Sequence, residues 1–465
     1  MARGPRHRAG GTGRDRRLPV RREALGRGRQ QDERAARGAR PLREGPGHVI
    51  VEPRPASPAD GETVPPVPPV PPASPTRRSE LDSIRVLVVV GLVFFHAALV
   101  FDASDDFYVR NAETTGASIV VSALGVVWAM PILFLIAGFG AWHSLRRRGP
   151  AGFTAERLLR LGVPLVFGTL TIVPVPQWLR LRADPGYHES YLAFLPRFFE
   201  ARFDLAEFPF VLQGEHFETG HLWFMLLLLV FALMLAAVAR WFPAGRARAI
   251  GDRLAAVAAG RRGALLAAAV PVSLLSALAG LEQEYAGWSR WAYLLFFCYG
   301  FVLAADDRFR AAIRRDAPLA AAVGLALPVV GLPMFLLAGG DPFTDLTPMA
   351  AVARAMYGAA GWCLLVGILG LLDRRAAARP PATRPRGGAR RRVYAYLAAG
   401  VLPLYVLHQP IVVAVAYGVV RLDAPIVVKY PLIVAASLVL TVAAYDLLVR
   451  RTRVTRFLFG MRDGR

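Results

Sequence analysis

Residues 84–101 read IRVLVVVGLVFFHAALVF. The stretch carries one arginine near its start, one histidine near its end, and otherwise only apolar residues. A run of this length spans a bilayer core as a helix. A strand would leave its backbone groups unpaired in lipid. Nine similar runs follow, at 118–142, 158–175, 221–242, 263–281, 291–305, 318–338, 350–372, 394–418 and 427–449. The reading is therefore all-α: a polytopic membrane protein of about ten transmembrane helices. The run 291–305 is the shortest of the set and the least secure in its ends.

Composition and charge point the same way. The chain has 465 residues, 54% of them hydrophobic, and its 56 Lys+Arg against 34 Asp+Glu give a net charge of +22. A nucleic-acid binder would explain the charge but not the apolar runs, so no nucleic-acid partner is expected. A bilayer explains both, because the arginines fall in alternate loops. Arg146–Arg148, the arginines of 240–262, those of 308–315 and those of 374–392 all follow even-numbered runs. Loops after odd-numbered runs are acidic or neutral, with Asp102, Asp105, Asp106 and Glu113 in the first and Asp341 and Asp345 in another. The positive-inside rule then puts both termini in the cytoplasm, with the chain multi-pass in the plasma membrane.

Residues 1–76 differ from the rest. They are rich in Arg, Gly and Pro, include VPPVPPVPPA at 64–73, and have no apolar region that would make a secretory signal. They are expected to be a disordered cytoplasmic tail, and translation from near residue 60 would remove most of it. The membrane domain is read as 77–456, followed by a short cytoplasmic tail, 457–465. The long loop 176–220 is expected to act as a binding surface or lid.

Ionisable groups inside spans are functional candidates by default. Arg85 and His96 are eleven residues apart. On a helix they share a stripe to within about 20°, roughly 16 Å apart along the axis. His408, in YVLHQP (405–410), reaches a depth similar to that of His96. Two histidines at one depth can share a cavity or each simply bond a neighbouring helix. Arg157 and Arg160 share a face at the basic rim. Glu215, His216, Glu218 and His221 cluster ahead of the fourth run, without the HExxH spacing of a zinc site, so no metal is expected. His221 and Trp223 are read as shaping an entrance, and Glu282 as bonding hydroxyl groups or being solvated. Cys298 and Cys363 lie in apolar runs and are read as small core residues rather than acyl carriers.

Several blocks resemble the acyltransferase-3 family of membrane acyltransferases. They are SELDSIR (79–85) with His96, MPILFLIAGF (130–139), RLLR (157–160), GHLWFM (220–225) and YVLHQP (405–410), in the family's order. Ile84 and Ala137 stand where Leu and Ser are common in that family. The GHLWF block is similar to the branch of glucan biosynthesis protein C succinyltransferases. The resemblance covers about 77–455 and leaves the tail aside.

It implies O-acyl transfer from cytoplasmic acyl-CoA to a hydroxyl of an outward-facing or membrane-associated carbohydrate or glycosylated product. No bound cofactor is implied. His96 and Arg85 would be catalytic, Arg157 and Arg160 would hold CoA phosphates, and His221, Trp223, His408 and Glu282 would meet substrate. Neutral imidazole suits removal of a hydroxyl proton near pH 7, and arginine forks suit phosphate. His96 as general base in a ternary complex, and His96 as acyl carrier, both remain open. A transporter or flippase, and a scaffold without catalysis, are the alternatives. The transporter leaves the Arg85–His96 pattern unexplained.

Overall fold

Helix α1 (Ser79–Leu99) carries the first apolar run, with Glu80 and Asp82 in its first turn complementing the helix dipole. The protein is described from a computed structural model over residues 79–103, 107–116, 125–378 and 388–461. The tail 1–76, the start of the second run (118–124), part of the arginine-rich loop (379–387) and 462–465 lie outside the described residues.

After α1 come α2 (Ala129–Arg157), a π-helical turn (Leu158–Gly162), α3 (Val163–Thr171) and α4 (Pro174–Arg182). The segment after α4 holds α5 (Tyr191–Phe198) and a minimal antiparallel pair, β1 (Arg202–Phe203) with β2 (Leu212–Gln213), in which Phe203 faces Leu212. A 3-10 turn (Gly220–Leu222) leads into α6 (Trp223–Trp241). Then follow α7 (Ala244–Gly260), α8 (Ala269–Ala279), α9 (Arg290–Leu303), α10 (Asp307–Leu337) and α11 (Pro348–Ala377). The last described elements are α12 (Ala389–Ala399), α13 (Val401–Val419), α14 (Ile426–Ala444) and α15 (Arg453–Leu458).

The all-α membrane class holds, but the number of long apolar helices differs from the expected ten. Among the described residues seven are long and apolar enough to cross a membrane. The second and third runs form one helical stretch, Ala129–Arg182. It is broken where Gly149 takes φ 68° ahead of Pro150, just after Arg146–Arg148. The fifth run folds as a shorter apolar helix, Ala264–Ala279. The sixth forms α9, whose 14 residues reach only about 21 Å, short of a core of roughly 30 Å. The basic loop after the fourth run is itself helical, as α7.

Small residues set the closest helix approaches, as they do where lipid supplies no hydrophobic drive between helices. At the α2–α9 crossing a Cβ on Gly300 would sit 1.9 Å from the Leu135 carbonyl oxygen, and one on Gly138 would sit 2.1 Å from that of Phe297. Along α10 and α11, Gly370 packs on Ala317 and Ile313 in the same way. Phe134 anchors the aromatic core, its ring 4.7 Å from Phe224 and 4.5 Å from Tyr293.

Buried charges tie loops to this frame. Arg354, fully buried, donates to the carbonyls of Pro342 and Ala277, each at 2.9 Å. Lys429, the single lysine of the chain, donates to Asn111 Oδ1 at 2.9 Å and to the Val420 carbonyl at 3.1 Å. Arg290 grips Glu282 and the carbonyls of Glu207 and Phe208. The long loop expected as a lid is thus partly structured and pinned.

Candidate active site

His408 lies in the middle of α13 and is fully buried. Its Nδ1 meets the carbonyl of Tyr405, one turn earlier. A carbonyl only accepts, so Nδ1 carries the hydrogen and Nε2 is left with its lone pair. That Nε2 is buried without a hydrogen-bond partner.

His221 sits in the 3-10 turn ahead of α6, and α13 holds it from several sides. Its Nε2 donates to the Val406 carbonyl at 2.9 Å, and its backbone N–H donates to Gln409 Oε1 at 3.3 Å. Its own carbonyl accepts from the Tyr405 hydroxyl. By the same logic its Nδ1 keeps the lone pair. The His221 and His408 rings meet edge to face at 5.2 Å.

His96, three residues before the end of α1, completes the group. Its ring is 5.2 Å from His408 and stacks on Phe107 at 5.8 Å. Its Nδ1 is buried and unpartnered. Of the two arrangements open to His96 and His408, the structure brings their rings together. His221, read as shaping an entrance with Trp223, is buried and joins them, because α13 draws it inward.

All three imidazoles line one cavity of about 250 Å³, together with Tyr405, Trp223 and Trp128. The remaining lining is apolar and comes mainly from α1, the start of α2 and Ala286. Trp223 is wedged between this cavity and the rings of Tyr285 and Tyr293. Among the described residues no three histidine, cysteine or acidic groups are arranged to hold a metal ion.

Other expected residues lie elsewhere. Arg85 lies two residues before Leu87, the first α1 residue of the cavity lining, and donates to Asp82 at 3.3 Å and to the Ile136 carbonyl at 3.4 Å. Arg157 and Arg160 flank the start of the π turn and both pair with Glu156, at 3.4 and 3.8 Å. Arg157 also lies over the Phe153 ring. Glu282 is outside the cavity lining, its carboxylate engaged by Arg290 at 3.0 Å. Cys363 is buried as expected, whereas Cys298 is exposed.

Three residues that sequence reading passed over support the group. Phe107 packs on His96, and the next residue, Tyr108, donates a short hydrogen bond to Glu218. Tyr405, within the YVLHQP block, braces both His221 and His408. Only proximity to a histidine marked Tyr405 in the sequence. Nothing marked Phe107.

No curated protein and no solved structure gives a significant match to the chain. The family described as an acyltransferase domain matches residues 78–450, which takes in every block quoted above and all three histidines. The chain therefore belongs to the acyltransferase-3 family and carries a membrane acyltransferase domain.

Proposed function

We propose that this protein moves an acyl group from cytoplasmic acyl-CoA to a hydroxyl of an extracytoplasmic or membrane-associated carbohydrate or glycosylated product, in the plasma membrane with both termini cytoplasmic. The observation that carries the reading is His96, on a helix long and apolar enough to cross a membrane, lining one cavity with two further imidazoles. His96 takes the acceptor's proton as the hydroxyl oxygen attacks the thioester carbonyl. A C–O bond forms, the C–S bond breaks, and the proton passes to the departing CoA thiolate. His408 and His221, with Trp223, bound the space where the acceptor hydroxyl approaches.

Arg157 and Arg160 supply the phosphate-binding charge at the basic side, released from Glu156 when CoA arrives. Arg85, paired to Asp82, orients α1 and with it His96. Glu282 supports the acceptor side through Arg290. The similarity of the GHLWF block to glucan biosynthesis protein C favours a glucan-like acceptor.

The test uses purified protein in nanodiscs with labelled acyl-CoA donors, cell-envelope glycans and glycosides. His96→Ala is expected to lower transfer by about a hundred- to ten-thousand-fold, the range of general-base catalysis. Thermal unfolding of the variant is expected to match wild type. Equal transfer by both proteins removes His96 as the base. Substrate flux across vesicles without acyl-CoA would move the reading to a transporter.

A further inference from the structure

The cavity is asymmetric. Its imidazoles gather at one end, and from there it runs back along α1 through Phe95, Leu92, Gly91 and Val88 to Leu87. Nine residues of helix separate Leu87 from His96, about 14 Å. Along that distance α1 offers the cavity no side-chain donor or acceptor other than His96 itself. Two of the lining residues, Leu87 at 62% and Phe94 at 40%, are also exposed on the surface of this membrane-crossing helix. The slot therefore borders the lipid-facing side of α1.

Two lining positions are glycines, Gly91 on α1 and Gly125 just ahead of α2. A Cβ added at either would meet nothing within 4 Å. Neither glycine is small because a neighbour presses on it, and the space beside both is open. At the far end, His408 Nε2 and His96 Nδ1 are buried and unpartnered, which is where a reacting carbonyl and hydroxyl would satisfy polar atoms.

We infer that this slot holds the hydrocarbon chain of the donor's acyl group, with its thioester carbonyl at the imidazoles and its tail along α1 toward Leu87. The inference rests on the acyltransferase reading above and adds the class of acyl group. Burying a succinyl carboxylate or the amides of a pantetheine arm among Leu87, Val88, Leu92 and Phe95 would leave polar groups without partners, at substantial cost. A methylene chain loses nothing there and gains from leaving water. An acetyl group would fill only the imidazole end.

The experiment is a donor series of acetyl-, succinyl-, butyryl-, octanoyl- and palmitoyl-CoA, offered to the full chain in nanodiscs with one fixed acceptor. In wild type kcat/KM is expected to rise about fourfold per added methylene until the slot is full, the equivalent of about 0.8 kcal/mol each. Gly91→Phe and Gly125→Phe are expected to fill the slot and lower the octanoyl-to-acetyl ratio by at least tenfold. Their thermal unfolding tells obstruction from misfolding. A flat series, a preference for acetyl or succinyl, or a ratio unmoved in folded variants overturns the inference and leaves the acyltransferase reading intact. Dependence on a lipid tail of the acceptor, with none on the acyl chain, assigns the slot to the acceptor and also overturns it. Absence of turnover and of binding for every donor fails the acyltransferase reading itself.

Discussion

At the scale of single residues, Glu218 shows how the surroundings of the three histidines set their chemistry. It lies two residues before the membrane-crossing stretch Gly220–Trp241 and accepts the short hydrogen bond from Tyr108. Burial pushes its carboxyl from the ordinary 4.5 up to about 7, against the opposing pull of Tyr108 and Arg180, with Glu284 adding to the rise. Folding therefore favours the protonated acid. Its contribution to stability is complete below pH 4.5 and is lost as pH rises through about 7. Wild type is expected to lose thermal stability across that window, and Glu218→Gln to flatten the profile there. A wild-type profile that rises across the same window contradicts the assignment. Tyr108 directly follows Phe107, the ring stacked on His96, so this bond holds the segment that packs against His96. The sequence displayed Glu218 beside His216 and His221, but gave no sign that Tyr108, far away in the chain, would reach it.

At the scale of elements, the α2–α9 crossing is the least forgiving contact. Leu135 and Phe297 present backbone carbonyls where side-chain atoms on Gly300 and Gly138 would have to stand. Gly300→Val should force the helices apart and cost on the order of 1–3 kcal/mol, as overpacking does. Thermal unfolding in detergent reads this out, with Gly91→Val as the matched control because that position is open. The MPILFLIAGF block made α2 legible as an apolar helix. It did not say which helix would touch Gly138, since periodicity describes a face and not its partner. The same limit applies to α13. Its residues Tyr405, Val406 and Gln409 read as part of an apolar run, yet they form the cradle that turns His221 inward.

At the scale of the whole molecule, widely separated segments are held together by a few buried polar ties. Lys429 on α14 reaches Asn111 in the segment after α1 and the Val420 carbonyl at the end of α13. At 7% exposure it should resist amine-directed reagents in the native protein and react on unfolding. Mass spectrometry of a labelled digest checks this at a single position, because the chain has no other lysine. Asn111→Ala should raise the native-state labelling rate by loosening the tie. Arg354 performs a similar service between Ala277 and Pro342.

Apolar run length, the alternation of basic and acidic loops and the order of the motif blocks determined the class of this protein and its family from sequence alone. These are local properties, fixed by what each segment can bury and by which side keeps its charges. The same signals did not foretell which runs would form long helices, since an apolar run does not record that α9 stops after 14 residues. The meeting of His96, His221 and His408 and the open slot beside Gly91 were decided only by tertiary packing. Both depend on which helix lies against which, and for the histidines that is set by contacts between residues far apart in the chain, His96 and His221 each against His408.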